Sequence, residues 1–177
     1  MKDLMLDIET MGNRSTSAII QVGACYFNRY TGEIGETFLE NILLKSSMED
    51  WGLTVDSSTI QWWMEQDNKS WMKDGKELMN VLSYFQGFAK EAKYAWSHST
   101  FDIPVLCNAY NVVGLALPFH YRLTRDIRTL THLANVPKNE TTEKRKGDAD
   151  SHNALNDCLY QVKYCVECFN KLRKETV

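Results

Sequence analysis

The chain has 177 residues, 44% of them hydrophobic and 24% charged, enough for one well-packed domain and short for two, so residues 1–177 are expected to form a single unit. A net charge of −3 and a pI near 5.8 exclude a protein that coats nucleic acid through a basic face, but not an enzyme that meets phosphate through bound cations. No apolar run approaches the length of a membrane span, and the first residues lead straight into a strand pattern without signal-peptide character, so no membrane partner and a cytoplasmic location are expected.

Residues 3–9 predict a strand with Leu4, Leu6 and Ile8 on one face and Asp7 and Glu9 on the other. Two carboxylates side by side at a buried strand end repel and lose hydration, unless a cation lies between them or one holds a proton. Oxygen donors of this kind suit Mg²⁺ or Mn²⁺ better than zinc, which prefers His and Cys. Asp-x-Glu is also common on solvated strand edges, so the pair gains meaning only in company with the chain's later acids and one histidine.

Residues 17–27, β-branched and aromatic, predict a second strand; Thr31-Gly32-Glu33 reads as a turn and residues 35–42 as a third strand of a meander. A polar stretch over 45–56 precedes Ser58-Thr59-Ile60-Gln61-Trp62-Trp63, which opens a helix with Ser or Thr as N-cap. Leu78, Val81, Leu82, Phe85 and Phe88 keep helical rhythm within residues 74–91. Tyr94-Ala95-Trp96-Ser97 reads as a short strand, and Phe101-Asp102-Ile103-Pro104 as its exit into a helix ending near Gly114, with proline where the first turn tolerates it. Residues 120–124 predict a further strand and 127–133 a short helix. The charged, turn-rich residues 137–150 predict a mobile surface loop whose charges cancel. A last helix begins near Ser151, its apolar stripe of Leu155, Leu159, Val162, Val166, Phe169 and Leu172 facing the sheet. The order predicts an α/β fold: a mixed sheet of three antiparallel strands with parallel additions, flanked by helices. The five cysteines, odd in number and scattered, read as buried free thiols in a reducing compartment, with a zinc site the weaker alternative.

Asp102 sits where a strand meets a helix, His152 comes after the charged loop, and Asp157 lies five residues further on the last helix. Asp7 and Glu9, then Asp102, then His-x-x-x-x-Asp, in that order, resembles the DEDDh 3′→5′ exonucleases, a proofreading-type superfamily with a ribonuclease H-like fold. Asp7-Ile8-Glu9-Thr10-Met11-Gly12, Thr59-Ile60-Gln61-Trp62-Trp63 and Arg125-Asp126-Ile127-Arg128-Thr129 look like the phage and bacterial subgroup that includes phage exodeoxyribonucleases and the nuclease part of exonuclease VIII. One departure is the approach to the third acid, Trp96-Ser97-His98-Ser99-Thr100-Phe101, where many members are rich in Gly or Asn.

The resemblance implies that Asp7, Glu9, Asp102 and Asp157 bind two divalent ions, Mg²⁺ or Mn²⁺, with His152 as general base. The substrate would be single-stranded DNA or RNA with a free 3′ end, DNA favoured, shortened to nucleoside 5′-monophosphates. Thr10 and Met11 would touch the terminal nucleotide through backbone amides and an apolar edge. Trp62 and Trp63 point about 100° apart on a helix, so either one is core and the other half-buried, or one stacks on a terminal base. Asp157 could be only a first-turn acid, Asp102 only a helix cap, and His152 only a solvated neighbour of a cap; their order favours function. His98, His120 and His132 read as structural or surface, and Asp126 with Arg128 as a charge pair, buried or supporting the metal ligands. Two alternatives stay open, an RNA-trimming enzyme and a nuclease-like module that binds without catalysis. The Trp-rich segment could also serve a homodimer.

Overall fold

The computed structural model describes residues 2–136 and 152–175; the loop expected over 137–150 and the helix start expected at Ser151 lie outside them. β1 (Asp3–Thr10) is buried on both faces. It pairs antiparallel with β2 (Ile19–Phe27), and β2 pairs antiparallel with β3 (Ile34–Asn41) at one edge. On its other side β1 pairs parallel with β4 (Tyr94–Ser97), and β4 pairs parallel with β5 (Thr124–Asp126), giving the order β3-β2-β1-β4-β5.

The helices fall on both faces because the central strands are apolar on both. Leu4, Leu6 and Ile8 join one core with residues of α1 (Ser57–Glu65), α2 (Leu78–Ala89) and α3 (Asp102–Val112). Met5, on the opposite face with Asp7 and Glu9, joins a second core with α4 (Ile127–Leu133) and α5 (Ala154–Glu175). Arg29 ties the far end of this second core together: it pairs with the Asp3 carboxylate while its guanidinium faces the rings of Tyr94, Trp96 and Phe169.

Several local expectations change. The N-cap of α1 is Asp56, which accepts from the Ser58 amide, rather than a Ser or Thr. Residues 121–123 form a 3₁₀ turn, and the strand expected over 120–124 is β5, three residues long and shifted toward the C-terminus. The contact face of α5 is offset from the expected stripe: Ala154, Cys158, Gln161, Val162, Cys165 and Cys168 are the buried positions, and the larger Leu155, Leu159 and Phe169 flank them. The small Ala154, Cys158, Cys165 and Cys168 among them let the helix lie close to β1 and β2. All five thiols are free, but Cys107 is exposed, not buried. No helix among the described residues is long and apolar enough to cross a membrane.

Candidate active site

Chain order places the site. β1 is the strand from which the chain leaves first to one side, to β2, and later to the other, to β4; in open sheets the crevice beyond the carboxyl ends of such neighbouring parallel strands is the usual ligand site. Asp7 and Glu9 stand near the carboxyl end of β1, and the turn after β4 carries His98 and leads to Asp102, the first residue of α3. Asp102 is not the cap of α3. Its amide donates to the His98 carbonyl at 3.0 Å, and its Oδ2 is buried with no hydrogen-bond partner among the described residues.

α5 closes the site from above because Gly23 lets it. Gly23 is paired with Asp7 across the sheet and faces the same side. A Cβ there would overlap the backbone carbonyl of Ala154 and the amide of Leu155, so only glycine admits the helix start at this height. Gln21, buried two pairs further along and opposite Glu9, accepts from the Ala154 amide at 2.7 Å and donates to Asn41 at 2.6 Å, which pins the same turn. Asn153 caps the helix, its Oδ1 accepting from the Asn156 amide at 3.1 Å. His152, just before the cap, has φ 61°, a left-handed conformation that costs a histidine about 1–2 kcal/mol. The ring meets Trp62 edge to face with centroids 4.6 Å apart.

Two groups of candidate ligand atoms result. Single donor atoms of Asp7, His98 and Asp102 all lie within 4.8 Å of one another, and so do those of Glu9, His152 and Asp157. Asp7, Glu9 and Asp102 are each 9% exposed or less. Burial, then the charges of Asp102, Glu9 and Asp157, holds the Asp7 carboxyl well above the usual carboxylate range, with a hydrogen bond from Gln161 opposing. Burial pushes Asp102 up to about 7, against the His98 backbone amide and the charge of Arg128. Acids so placed call for protons or cations. The carboxylate and imidazole donors, with a buried carboxylate oxygen that has no hydrogen-bond partner among the described residues, fit divalent ions.

Beside these groups opens a cleft of about 440 Å³ lined by Glu9, Thr10, Asn13, Ser58, Thr59, Trp62, Trp63 and Phe101. Trp63 is buried, its indole N–H donating to the Thr10 carbonyl at 2.9 Å, while Trp62 is 39% exposed at the cleft wall. Met11 does not take its expected place: its side chain is buried in the core, and its amide donates to the Ala18 carbonyl at 2.9 Å. Asp126 and Arg128 do not pair either. Asp126 caps α4 by accepting from Thr129 and holds the turn before Asp102 through Ser99, whereas Arg128 is exposed.

Two residues carried too little signal to be singled out from the sequence. Gln161 is buried and donates to Asp7 Oδ1 at 2.7 Å; its place one helical turn after Asp157 was the available signal. His98 joins Asp7 and Asp102 although it read as structural or surface, and its only signal was closeness to Asp102.

Carboxylates clustered at the carboxyl ends of two parallel strands, with histidines at hand and an open cleft, define a class: enzymes that hold divalent cations between acids to act on phosphoryl groups. The chain matches the family model of the 3′–5′ exoribonuclease Rv2179c-like domain over residues 2–169, and it belongs to that family. It is a 3′–5′ exonuclease. The fold is similar to the nuclease domain of 3′hExo, a DEDDh family member solved with rAMP (TM-score 0.64, 17% identity, covering 95% of this chain and 91% of that one). It is similar also to S. pombe Pop2p in a Mg²⁺- and Mn²⁺-bound form (0.62, 15%, 94% and 82%). A third similar structure is E. coli exonuclease I with a dA16 oligonucleotide (0.70, 12%), of which this chain, 97% covered, spans 41%. No curated protein sequence matches the chain.

Proposed function

We propose that this protein removes nucleotides one at a time from the 3′ end of single-stranded RNA, releasing nucleoside 5′-monophosphates. The observation that carries the reading is the meeting of Asp7, Glu9, Asp102, His152 and Asp157, brought together from distant parts of the chain, in two ion-sized groups beside a cleft. The family description supports RNA. DNA is the second reading, supported by the likeness of the Asp7–Gly12 and Thr59–Trp63 segments to phage exodeoxyribonucleases.

Asp7, Glu9, Asp102 and Asp157 would hold two divalent ions, Mg²⁺ or Mn²⁺. When bound, such ions supply the positive charge that draws in the terminal phosphate and steadies charge developing on the attacking and leaving oxygens. His152 receives the proton of the attacking water on a ring nitrogen, and the Trp62 ring holds that imidazole against rotation. Trp62 also offers a face at the cleft wall on which an unpaired terminal base stacks without regard to sequence, which favours single strands. Thr10 lines the same cleft next to Glu9.

Matched RNA and DNA oligomers labelled at the 5′ end test both parts. The expected result is a ladder shortened stepwise from the 3′ end, with monophosphates released faster from RNA. Faster loss from DNA installs the second reading, and internal cuts or shortening from the 5′ end would defeat both.

A further inference from the structure

We infer that His98 supplies a nitrogen ligand to the ion held by Asp7 and Asp102, so that this position selects Mn²⁺ over Mg²⁺. The inference rests on the proposed use of the site and adds a ligand to it. Three observations carry it. A ring nitrogen of His98 and one carboxylate oxygen each of Asp7 and Asp102 lie within 4.8 Å of one another, close enough to share one ion. Asp102, 2% exposed, has a carboxylate oxygen with no hydrogen-bond partner among the described residues, an atom that burial leaves in need of a cation. The backbone of His98 is anchored as well, its carbonyl accepting from the Phe101 amide at 2.8 Å and the Asp102 amide at 3.0 Å, so imidazole and carboxylate ride on one tight turn.

Ligand chemistry sets the metal preference. Mg²⁺ demands near-ideal octahedral oxygen coordination and dehydrates reluctantly. An imidazole nitrogen strengthens binding of first-row transition ions instead, and Mn²⁺ is the one among them that also suits carboxylates. An Asp-Asp-His position is therefore biased toward Mn²⁺, where carboxylates alone would accept either ion.

The test uses the whole protein without substrate. Mn²⁺ and Mg²⁺ are titrated calorimetrically into the wild type, His98→Ala, His98→Asn and Asp102→Asn, and pulsed electron paramagnetic resonance looks for nitrogen coupling on bound Mn²⁺. Because Glu9 and Asp157 also lie beside a histidine, His152→Ala is included to separate the two rings. Expected are nitrogen coupling that survives His152→Ala and is reduced or lost in both His98 variants, a fall in Mn²⁺ affinity of about 10-fold or more in those variants, and Mg²⁺ affinity little changed. Circular dichroism checks that each variant is folded, and two substitutions at position 98 guard against one failing to fold. Nitrogen coupling and Mn²⁺ affinity untouched by either His98 variant, with binding lost in Asp102→Asn, overturn the inference and leave the site reading standing. A wild type that binds neither ion overturns both.

Discussion

At the scale of single residues, the site is a local conflict between burial and charge, and the conflict has measurable signs. Asp102 holds its proton up to about 7 in the fold, against an ordinary carboxylate value near 3.8, and Asp7 is raised as well. Between those values the folded state binds protons that the unfolded chain releases, so stability without metal is present at low pH and falls as pH rises through that window. Thermal melts in chelator should therefore show a lower Tm at pH 7.5 than at pH 5.5, and added Mn²⁺ should reverse the difference. Asp102→Asn should hold or raise the chelator Tm at pH 7.5 and flatten this pH dependence. A variant that melts far below the wild type would mark Asp102 as a structural residue. His152→Ala addresses chemistry: turnover should fall about 10²–10⁴-fold with oligonucleotide affinity little changed. Stopped-flow cleavage beside equilibrium binding separates the two quantities, and near-wild-type turnover would remove His152 as the base.

At the scale of elements, the decisive contact is between β2 and the start of α5. Gly23 holds open the space into which Ala154 and Leu155 fit, and that fit carries His152 and Asp157 to Asp7 and Glu9. Gly23→Ala should cost about 1–3 kcal/mol of stability and depress activity further than the loss of folded protein explains, because the helix start must lift. Activity at wild-type level in the folded fraction would show that α5 tolerates displacement. The same contact explains what was legible in the sequence. Asp7 and Glu9 stand at a strand end and Asp102 at a helix start, places that strand and helix patterns mark, and His152 and Asp157 keep a recognisable spacing. Gln161 and His98 carry no such pattern, since their partners are set by how closely α5 and the turn after β4 approach β1. β4 and α4 were readable to the residue because aromatic and capping residues bound them. β5 was not, because three residues make no pattern and only pairing with β4 defines the strand. Met11 misled for the opposite reason: it comes directly after the acids in sequence, but the bulge after Glu9 turns it into the core.

At the scale of the whole molecule, two cores on opposite faces of one sheet leave the site at the sheet's carboxyl end, where four acids gather in a chain whose net charge is −3. A polyanion meets repulsion there unless cations are bound. Fluorescence anisotropy with a single-stranded oligomer and the His152→Ala protein, expected to cleave slowly, should therefore show binding with Mn²⁺ and at least about tenfold weaker binding in chelator. Equal affinity in both would place the nucleic-acid surface elsewhere.

If hydrolysis depends on the buried acids, as proposed above, Asp7→Asn tests it with the least disturbance. The substitution keeps shape and leaves an oxygen to accept from Gln161, while removing one charge from the centre of the cluster. Single-turnover cleavage of a 5′-labelled single-stranded oligomer in Mn²⁺ should show stepwise 3′ shortening by the wild type. The folded variant should be slower by at least about 10³-fold, the scale of several kcal/mol of lost charge stabilisation. An Asp7→Asn protein that shortens the oligomer at the wild-type rate would contradict the assignment of this site.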